Sequence, residues 1–166
     1  MKWEITIMSD DFFFLHIRLI IFNILVAIAL AKLEIQIEGK YGWAEKLPTW
    51  RLKNKWTQLF WGEQPYTGYH FWLLISIILF LHFPFVLNPS SWSAELELLI
   101  IGYFFLGVIL EDYFWFVFNP HFGRQKFTNT HAPWHKKWIM GIPELYVKVG
   151  TLSILIIFIA TYLSIY

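Results

Sequence analysis

The sequence predicts an all-α integral membrane protein: a four-helix bundle of four transmembrane spans, with two amphipathic helices at one membrane interface. Hydrophobic residues make up 57% of its 166 residues and charged residues only 15%, whereas charged residues form about a quarter of a soluble domain. Four apolar stretches reach or approach the ~20 residues that a membrane-spanning helix needs. Two connecting segments carry apolar residues at helical spacing. We therefore expect one polytopic domain covering residues 1–166.

The predicted spans cover approximately residues 12–34, 69–87, 98–118 and 145–166. The first helix has room to continue to Glu38. A signal peptide is the alternative interpretation of the first stretch, but Asp10 and Asp11 precede its apolar run and Arg18 interrupts it, which favours a retained span. The third span holds two adjacent acids, Glu111 and Asp112, in an otherwise apolar run.

Basic residues predict the orientation of the chain. Nine lysines and arginines lie in residues 39–68 and 119–143, the two long connections, which share one side of a four-span protein. The opposite side carries Lys2 alone. Because cytoplasmic loops are enriched in Lys and Arg, we expect both long loops in the cytosol, both termini outside, and a location in the plasma membrane.

Each long loop has one predicted amphipathic helix. In TWRLKNKWTQLF, residues 49–60, apolar side chains alternate with basic ones at helical spacing. In THAPWHKKWIM, residues 130–140, His131, Trp134, His135 and Trp138 repeat at i, i+3, i+4 and i+7, and Lys136 and Lys137 point away. Such helices typically lie in the headgroup region of a membrane.

Five acids and four histidines gather at the cytosolic end of the predicted bundle. They are Glu34, Glu38, Glu111, Asp112 and Glu144, with His70, His121, His131 and His135. At about 100° per residue, Glu34 and Glu38 share a stripe of the first helix with Ala27 and Ala31. Glu111 shares its face with Gly107 and points at a neighbouring helix, whereas Asp112 points elsewhere. A carboxylate at such depth is expected to be protonated, paired or bound to a cation.

The first hypothesis is a metal-dependent membrane enzyme acting on a lipid or another hydrophobic substrate. The spacing of His131 and His135 places two imidazoles one helical turn apart, which can chelate Zn or Fe. Glutamates and histidines on facing helices also build di-metal carboxylate sites in four-helix bundles. The predicted metal ligands are Glu34, Glu38, Glu111, His121, His131 and His135. Asp112 or Glu144 would carry protons or orient the ligands.

The alternative is a non-enzymatic membrane protein, either a subunit of a larger complex or a homo-oligomeric channel or transporter. Its buried acids would form structural ion pairs, with Lys148 one turn after Glu144 in a favourable order, or a proton path. Nucleic-acid binding is not expected, because net charge is +1 and no long basic run occurs. The absence of cysteine excludes disulfides and thiolate metal sites, and phosphate-binding glycine motifs are also missing.

Overall fold

The structure, a computed structural model, describes residues 2–61, 64–132, 134–135 and 137–165, and the side chains of residues 2–11 and 59–61 fall outside that description. Within these residues the fold is mostly helical, which confirms the predicted all-α class. The helices are α1 (Lys2–Glu38), α2 (Lys55–Trp61), α3 (Gly68–Leu87), α4 (Ala94–Phe118) and α5 (Glu144–Ile165). Two antiparallel hairpins pair β1 (Arg51–Leu52) with β2 (Tyr66–Thr67), and β3 (Trp138–Ile139) with β4 (Ile142–Pro143).

Three helices are long and apolar enough to cross a membrane: Phe12–Glu38 within α1, then α3 and α5. They confirm three of the four predicted spans as candidates, the first of them four residues longer than residues 12–34. The remaining predicted span, residues 98–118, falls inside α4. This helix has 25 residues that include four acids, and it is not among these three helices. Tyr166, the predicted end of the last span, lies outside the described residues.

Local signals explain where the helices begin and end. The Thr67 side chain accepts a hydrogen bond from the His70 backbone N–H and caps α3, and Ser93 caps α4 in the same way. Such caps satisfy N–H groups that lack a partner in the first turn. α4 ends at Phe118, directly before the Asn119-Pro120 pair, because a proline disfavours the helical conformation of the residue before it.

α4 is the central helix, with α1 and α5 packed along it. Small residues permit these contacts: the Ser153 hydroxyl donates to the Gly102 carbonyl at 2.8 Å, and Gly107 lies against the Asn23 side chain. Helices in lipid commonly pack through such small and polar residues. Among the described residues, α3 makes no comparably close backbone approach to α1, α4 or α5. The bundle is therefore a packed trio with one helix standing apart.

The long connections cover one end of the bundle. This end, at which α1 and α4 finish and α3 and α5 begin, is called the loop end below. Phe116 is fully buried there, with its ring stacked on Trp134 of the second long loop. The Asn119 side-chain amide donates to the Gly39 carbonyl at 2.9 Å. These contacts tie both loops to the ends of α1 and α4, so the polar residues of the loop end are brought together.

The two predicted amphipathic helices require correction. In residues 49–60 only α2 is helical, from Lys55 onward, and Arg51 and Leu52 form β1. No described residue of 130–140 is helical, and Lys136 lies outside the description. The segment instead ends in the β3–β4 hairpin, whose two-residue turn has positive φ at both Met140 (51°) and Gly141 (82°), as in the tight turns that suit hairpin twist.

Candidate metal centre

Three metal-ligating side chains meet at the loop end. Glu34 and Glu38 lie one turn apart on α1, and His70 lies in the first turn of α3. One ligand atom of each lies within 4.8 Å of those of the other two, and His70 Nε2 is 4.0 Å from Glu38 Oε1. Two ligands of a tetrahedral ion lie roughly 3.4 Å apart at bond lengths near 2.1 Å, so the His70–Glu38 pair would have to close by about 0.6 Å, and no pair by more than about 1.4 Å, to hold one divalent ion. These three residues are called the candidate centre.

His70 is oriented by the residue that caps its helix. Thr67 Oγ1 lies 2.7 Å from His70 Nδ1 and accepts from the His70 backbone N–H at 3.3 Å. The Trp43 ring packs against the imidazole, with ring centroids 4.8 Å apart. In the tautomer with the proton on Nδ1, the Thr67 contact leaves the Nε2 lone pair directed toward Glu38. A metal-binding histidine is commonly held through its second nitrogen in this way.

Glu38 is held by a strained loop. Trp43 and Ala44 both have positive φ, at 47° and 52°, a conformation that costs a residue with a side chain about 1–2 kcal/mol. Their backbone N–H groups hydrogen-bond the Glu38 carboxylate, the Ala44 bond reaching Oε1. Surrounding contacts fix the loop, since Arg51 donates to the Ala44 carbonyl at 2.5 Å and Trp43 Nε1 donates to the Pro65 carbonyl at 2.9 Å. Strain maintained by surrounding contacts is common at functional sites.

Glu111 extends the centre onto α4. Its carboxyl group lies within hydrogen-bonding distance of the Glu34 carboxyl, and the Tyr69 hydroxyl hydrogen-bonds Glu34 from the other side. Glu111 Oε1 is buried and has no hydrogen-bond donor among the described residues. Ionised carboxylates only accept hydrogen bonds, so this pair of carboxyl groups requires a shared proton or a cation.

No lysine or arginine supplies that cation within the part of the chain that the structure describes. The ion pairs of those residues leave out Glu34, Glu38 and Glu111, apart from the contact between Glu38 and His70. Lys148 pairs with Glu144 at 3.2 Å, which confirms the favourable spacing seen in the sequence. The acids of the candidate centre thus have no basic side-chain partner of this kind.

Asp112 faces a different set of partners, one residue around α4. Its Oδ2 accepts from the Tyr146 hydroxyl and lies 3.1 Å from His135 Nε2. Tyr146 is in the first turn of α5, and the His135 side chain is buried among the aromatic rings of the second loop. This arrangement agrees with the helical phase, which predicted that Glu111 faces a neighbouring helix and that Asp112 points to another partner.

The structure brings together only some of the predicted site residues. Glu34, Glu38 and Glu111 meet, and His135 reaches Asp112 next to them. His121 and His131 are exposed, and His131 Nδ1 contacts Thr128 Oγ1 at 3.0 Å. Because the described residues of 131–135 (131, 132, 134 and 135) are not helical, His131 and His135 do not share a helical face. Their roles as ligands stay predictions without support from this geometry.

His70 takes the place that the sequence prediction gave to the loop histidines. The sequence placed it at the correct end of the bundle but offered no reason to select it from four histidines. The usable signal was its position three residues after Thr67, where a capping hydroxyl also reaches the imidazole. Tyr69 and Tyr146, both hydrogen-bonded to the acids, were not predicted.

A cavity of about 590 Å³ lies beside the candidate centre. One face of α3 forms part of its wall, through His70, Leu73, Leu74, Ile77 and Leu81. Residues of α1 and α4 form the wall opposite α3, and residues at the start of α5 complete the wall near the loop end. The cavity therefore fills the gap between α3 and the packed trio, with apolar walls and acids at one end.

No protein-family model, curated protein or solved structure matches this chain.

Proposed function

We propose that this protein is a metal-dependent membrane enzyme that acts on a lipid or another hydrophobic substrate held in the cavity. The observation that carries the proposal is the candidate centre, in which Glu34, Glu38 and His70 converge within 4.8 Å at the polar end of an apolar cavity. Buried acids without a lysine or arginine partner need a positive charge, which a divalent ion would supply. Two carboxylates and one imidazole match the preferences of Zn and of non-haem Fe.

The surrounding residues would prepare the centre for catalysis. Thr67 and the backbone of Trp43 and Ala44 hold two of the three ligands, and such support raises metal affinity. A bound ion would polarise a water or a substrate oxygen. Glu111 is placed to accept a proton beside Glu34, and Asp112, hydrogen-bonded by the Tyr146 hydroxyl, is placed to pass one on. Hydrolysis and oxidation both remain open for such a ligand set.

The proposal includes an arrangement in the membrane. α4 would be the fourth span, because its 25 residues reach roughly 37 Å at 1.5 Å per residue and it packs between two apolar helices. The excess of Lys and Arg in both long loops supports a cytosolic loop end, with both termini outside the plasma membrane. The substrate would enter sideways from the lipid, through the gap beside α3.

A non-enzymatic carrier is the second candidate, as a homo-oligomer or as part of a larger complex. One observation favours it: the Glu34 and Glu111 carboxyl groups lie within hydrogen-bonding distance, and a proton between them would satisfy both without metal. Ionisable pairs inside membrane bundles commonly belong to proton paths. This candidate predicts proton flux in liposomes and no stoichiometric metal.

Metal content per chain tests the proposal. The protein would be purified in mild detergent without a histidine tag, and its Zn, Fe and Mn would be measured by elemental analysis. We expect about one equivalent in the natural protein and a loss of most of it in Glu34→Gln, Glu38→Gln and His70→Ala, because each removes one of few ligands.

Two matched controls separate loss of metal from loss of fold. His121→Ala and His131→Ala remove exposed histidines of the same loop end and are expected to retain the metal. All variants would be compared at equal monodispersity. Absence of stoichiometric metal from natural protein, also after incubation with each ion, would refute the enzyme proposal and leave the carrier.

A further inference from the structure

The cavity is long and narrow. Along α1 its lining runs from Leu19 to Glu38, which is roughly 28 Å at 1.5 Å per residue. Spread over that length, the volume of about 590 Å³ corresponds to a mean cross-section of roughly 20 Å². A hydrocarbon chain in van der Waals contact with its surroundings occupies about 4–5 Å in each direction. Averaged over its length, the cavity therefore has room for one extended chain.

The wall of this cavity is apolar along most of its length. On α3 the lining residues Leu73, Leu74, Ile77 and Leu81 recur at helical spacing on one face. Aliphatic and aromatic side chains of α1 and α4 form most of the opposite wall, with the Asn23 side-chain amide donating to the Tyr103 carbonyl at 2.9 Å. Since that amide is already partnered, this part of the wall is suited to methylene groups.

Two lysines stand at the polar end of the same cavity. Lys137 and Lys148 both line it, and Glu144 joins them: its N–H donates to the Lys137 carbonyl at 2.8 Å, and its carboxylate pairs with Lys148 at 3.2 Å. Lys137 is exposed and forms no ion pair within the described residues. One cation at this rim is thus available for an anion, beside the candidate centre.

Building on the proposed function, we propose that the substrate is a single-chain lipid with an anionic head group. Its chain lies in the groove between α1 and α4 beneath α3, and its carboxylate or phosphate lies against Lys137 and Lys148. The bonds next to the head group are then nearest to Glu34, Glu38 and His70. A two-chain phospholipid leaves its second chain without space in a cavity of this width.

Lipid binding to metal-free protein tests this inference independently of catalysis. A fluorescent long-chain fatty acid would be bound to the protein in neutral detergent and displaced by unlabelled competitors. We expect a long-chain alkyl phosphate and a long-chain fatty acid to compete well, the alcohol of equal chain length to compete about tenfold less well, and a two-chain phosphatidic acid to compete poorly. The relative affinities of the alkyl phosphate and the fatty acid show whether the site prefers a phosphate or a carboxylate head group.

Two neighbouring residues of α3 provide a matched pair of variants. Ile77 lines the cavity, whereas Ile78 is 39% exposed on the outer face. Ile77→Trp should fill the cavity and weaken fatty-acid binding by about tenfold or more. Ile78→Trp should change the affinity for the fatty acid by no more than about twofold. The Lys137→Gln, Lys148→Gln double variant should weaken binding of the acid and leave that of the alcohol unchanged, because only the acid carries the charge.

Equal affinity for the acid and the alcohol would overturn the head-group assignment. Unchanged binding to Ile77→Trp, or strong competition by the two-chain lipid, would overturn the single-chain assignment. Metal content would be measured on the same preparations before their metal is removed for the lipid-binding assay. If metal is retained while these lipid results fail, the substrate inference falls and the proposed function stands; if the metal is absent and the lipid results hold, only the enzyme is lost.

Discussion

Replacing Gly102 with alanine should weaken the packing of α4 against α5. A Cβ atom at this position would lie 2.5 Å from Ile157 Cγ1 and 3.3 Å from two backbone atoms, the Ile157 nitrogen and the Ser153 carbonyl oxygen. The isoleucine side chain can rotate away, but the backbone contacts require the helices to separate by a few tenths of an ångström. That movement also strains the Ser153 hydrogen bond to the Gly102 carbonyl, which is 2.8 Å long.

The magnitude follows from two opposing terms. Overpacking costs about 1–3 kcal/mol, and alanine in place of a helical glycine returns about 1 kcal/mol, so Gly102→Ala should lose up to about 2 kcal/mol. Gly150→Ala is the matched control on the facing helix, because its Cβ would meet only Ile109 Cδ1 at an ordinary 3.7 Å. That control should gain about 1 kcal/mol, which separates the two variants by about 1–3 kcal/mol.

Thermal unfolding in mild detergent, followed by far-ultraviolet circular dichroism, measures the difference. For a chain of this size each kcal/mol corresponds to about 2–4 °C in Tm, so Gly102→Ala should unfold several degrees below Gly150→Ala. Equal Tm values, or a higher Tm for Gly102→Ala, would show that α4 and α5 do not approach each other as closely as the glycine contacts indicate.

Substitutions at two further positions test the support of the centre and the β3–β4 turn. Thr67→Val removes the hydroxyl that contacts His70 Nδ1, so metal affinity, measured by competition with a chelator, should fall by about 10–100-fold; an unchanged affinity would mean that Thr67 does not orient His70. Met140→Gly relieves a positive φ of 51° at a side chain that is 99% exposed, so Tm should rise by a few degrees, since a left-handed residue with a side chain costs about 1–2 kcal/mol. Met140→Val, β-branched at the same position, should instead lower it.

Helical phase predicted the directions of the site residues that lie on long helices. α1 and α4 follow 100° per residue, so the sequence indicated that Glu34 and Glu111 both face into the bundle and that Asp112 points to another partner or toward the interface. Ala27 and Ala31, in the same predicted stripe, are buried at 1% and 0% exposure. In such helices the backbone hydrogen bonds are local, and the side-chain directions follow from position alone.

The same reasoning failed in residues 130–140, where only four residues matched the helical period. There the competing interactions are tertiary: Trp134 stacks on Phe116, His135 reaches Asp112, and a hairpin turn forms at Met140 and Gly141. Together they outweigh a short local pattern. The HxxxH spacing therefore does not place the two imidazoles one helical turn apart.

His70 shows a second limit. Its position at the start of α3 was readable, but its partner was not, because the approach to Glu38 depends on the path of residues 39–50 between the two helices. That path includes positive φ at Trp43 and Ala44, which neither residue type favours. Where backbone conformations run against local preference, sequence patterns carry no signal of the contact that results.

The separation of α3 from the packed trio has a thermodynamic consequence. His70 moves with α3, whereas Glu34 and Glu38 move with α1, so each outward displacement of α3 lengthens the His70–Glu38 distance of 4.0 Å. A ligand in the cavity would affect the position of α3, and so would an ion that joins His70 to the two glutamates. Linkage makes such an effect reciprocal. A cavity ligand that displaces α3 outward and an ion that draws it inward must therefore weaken each other's binding by the same factor. A hydrocarbon chain thin enough to leave α3 in place would not weaken binding of the ion.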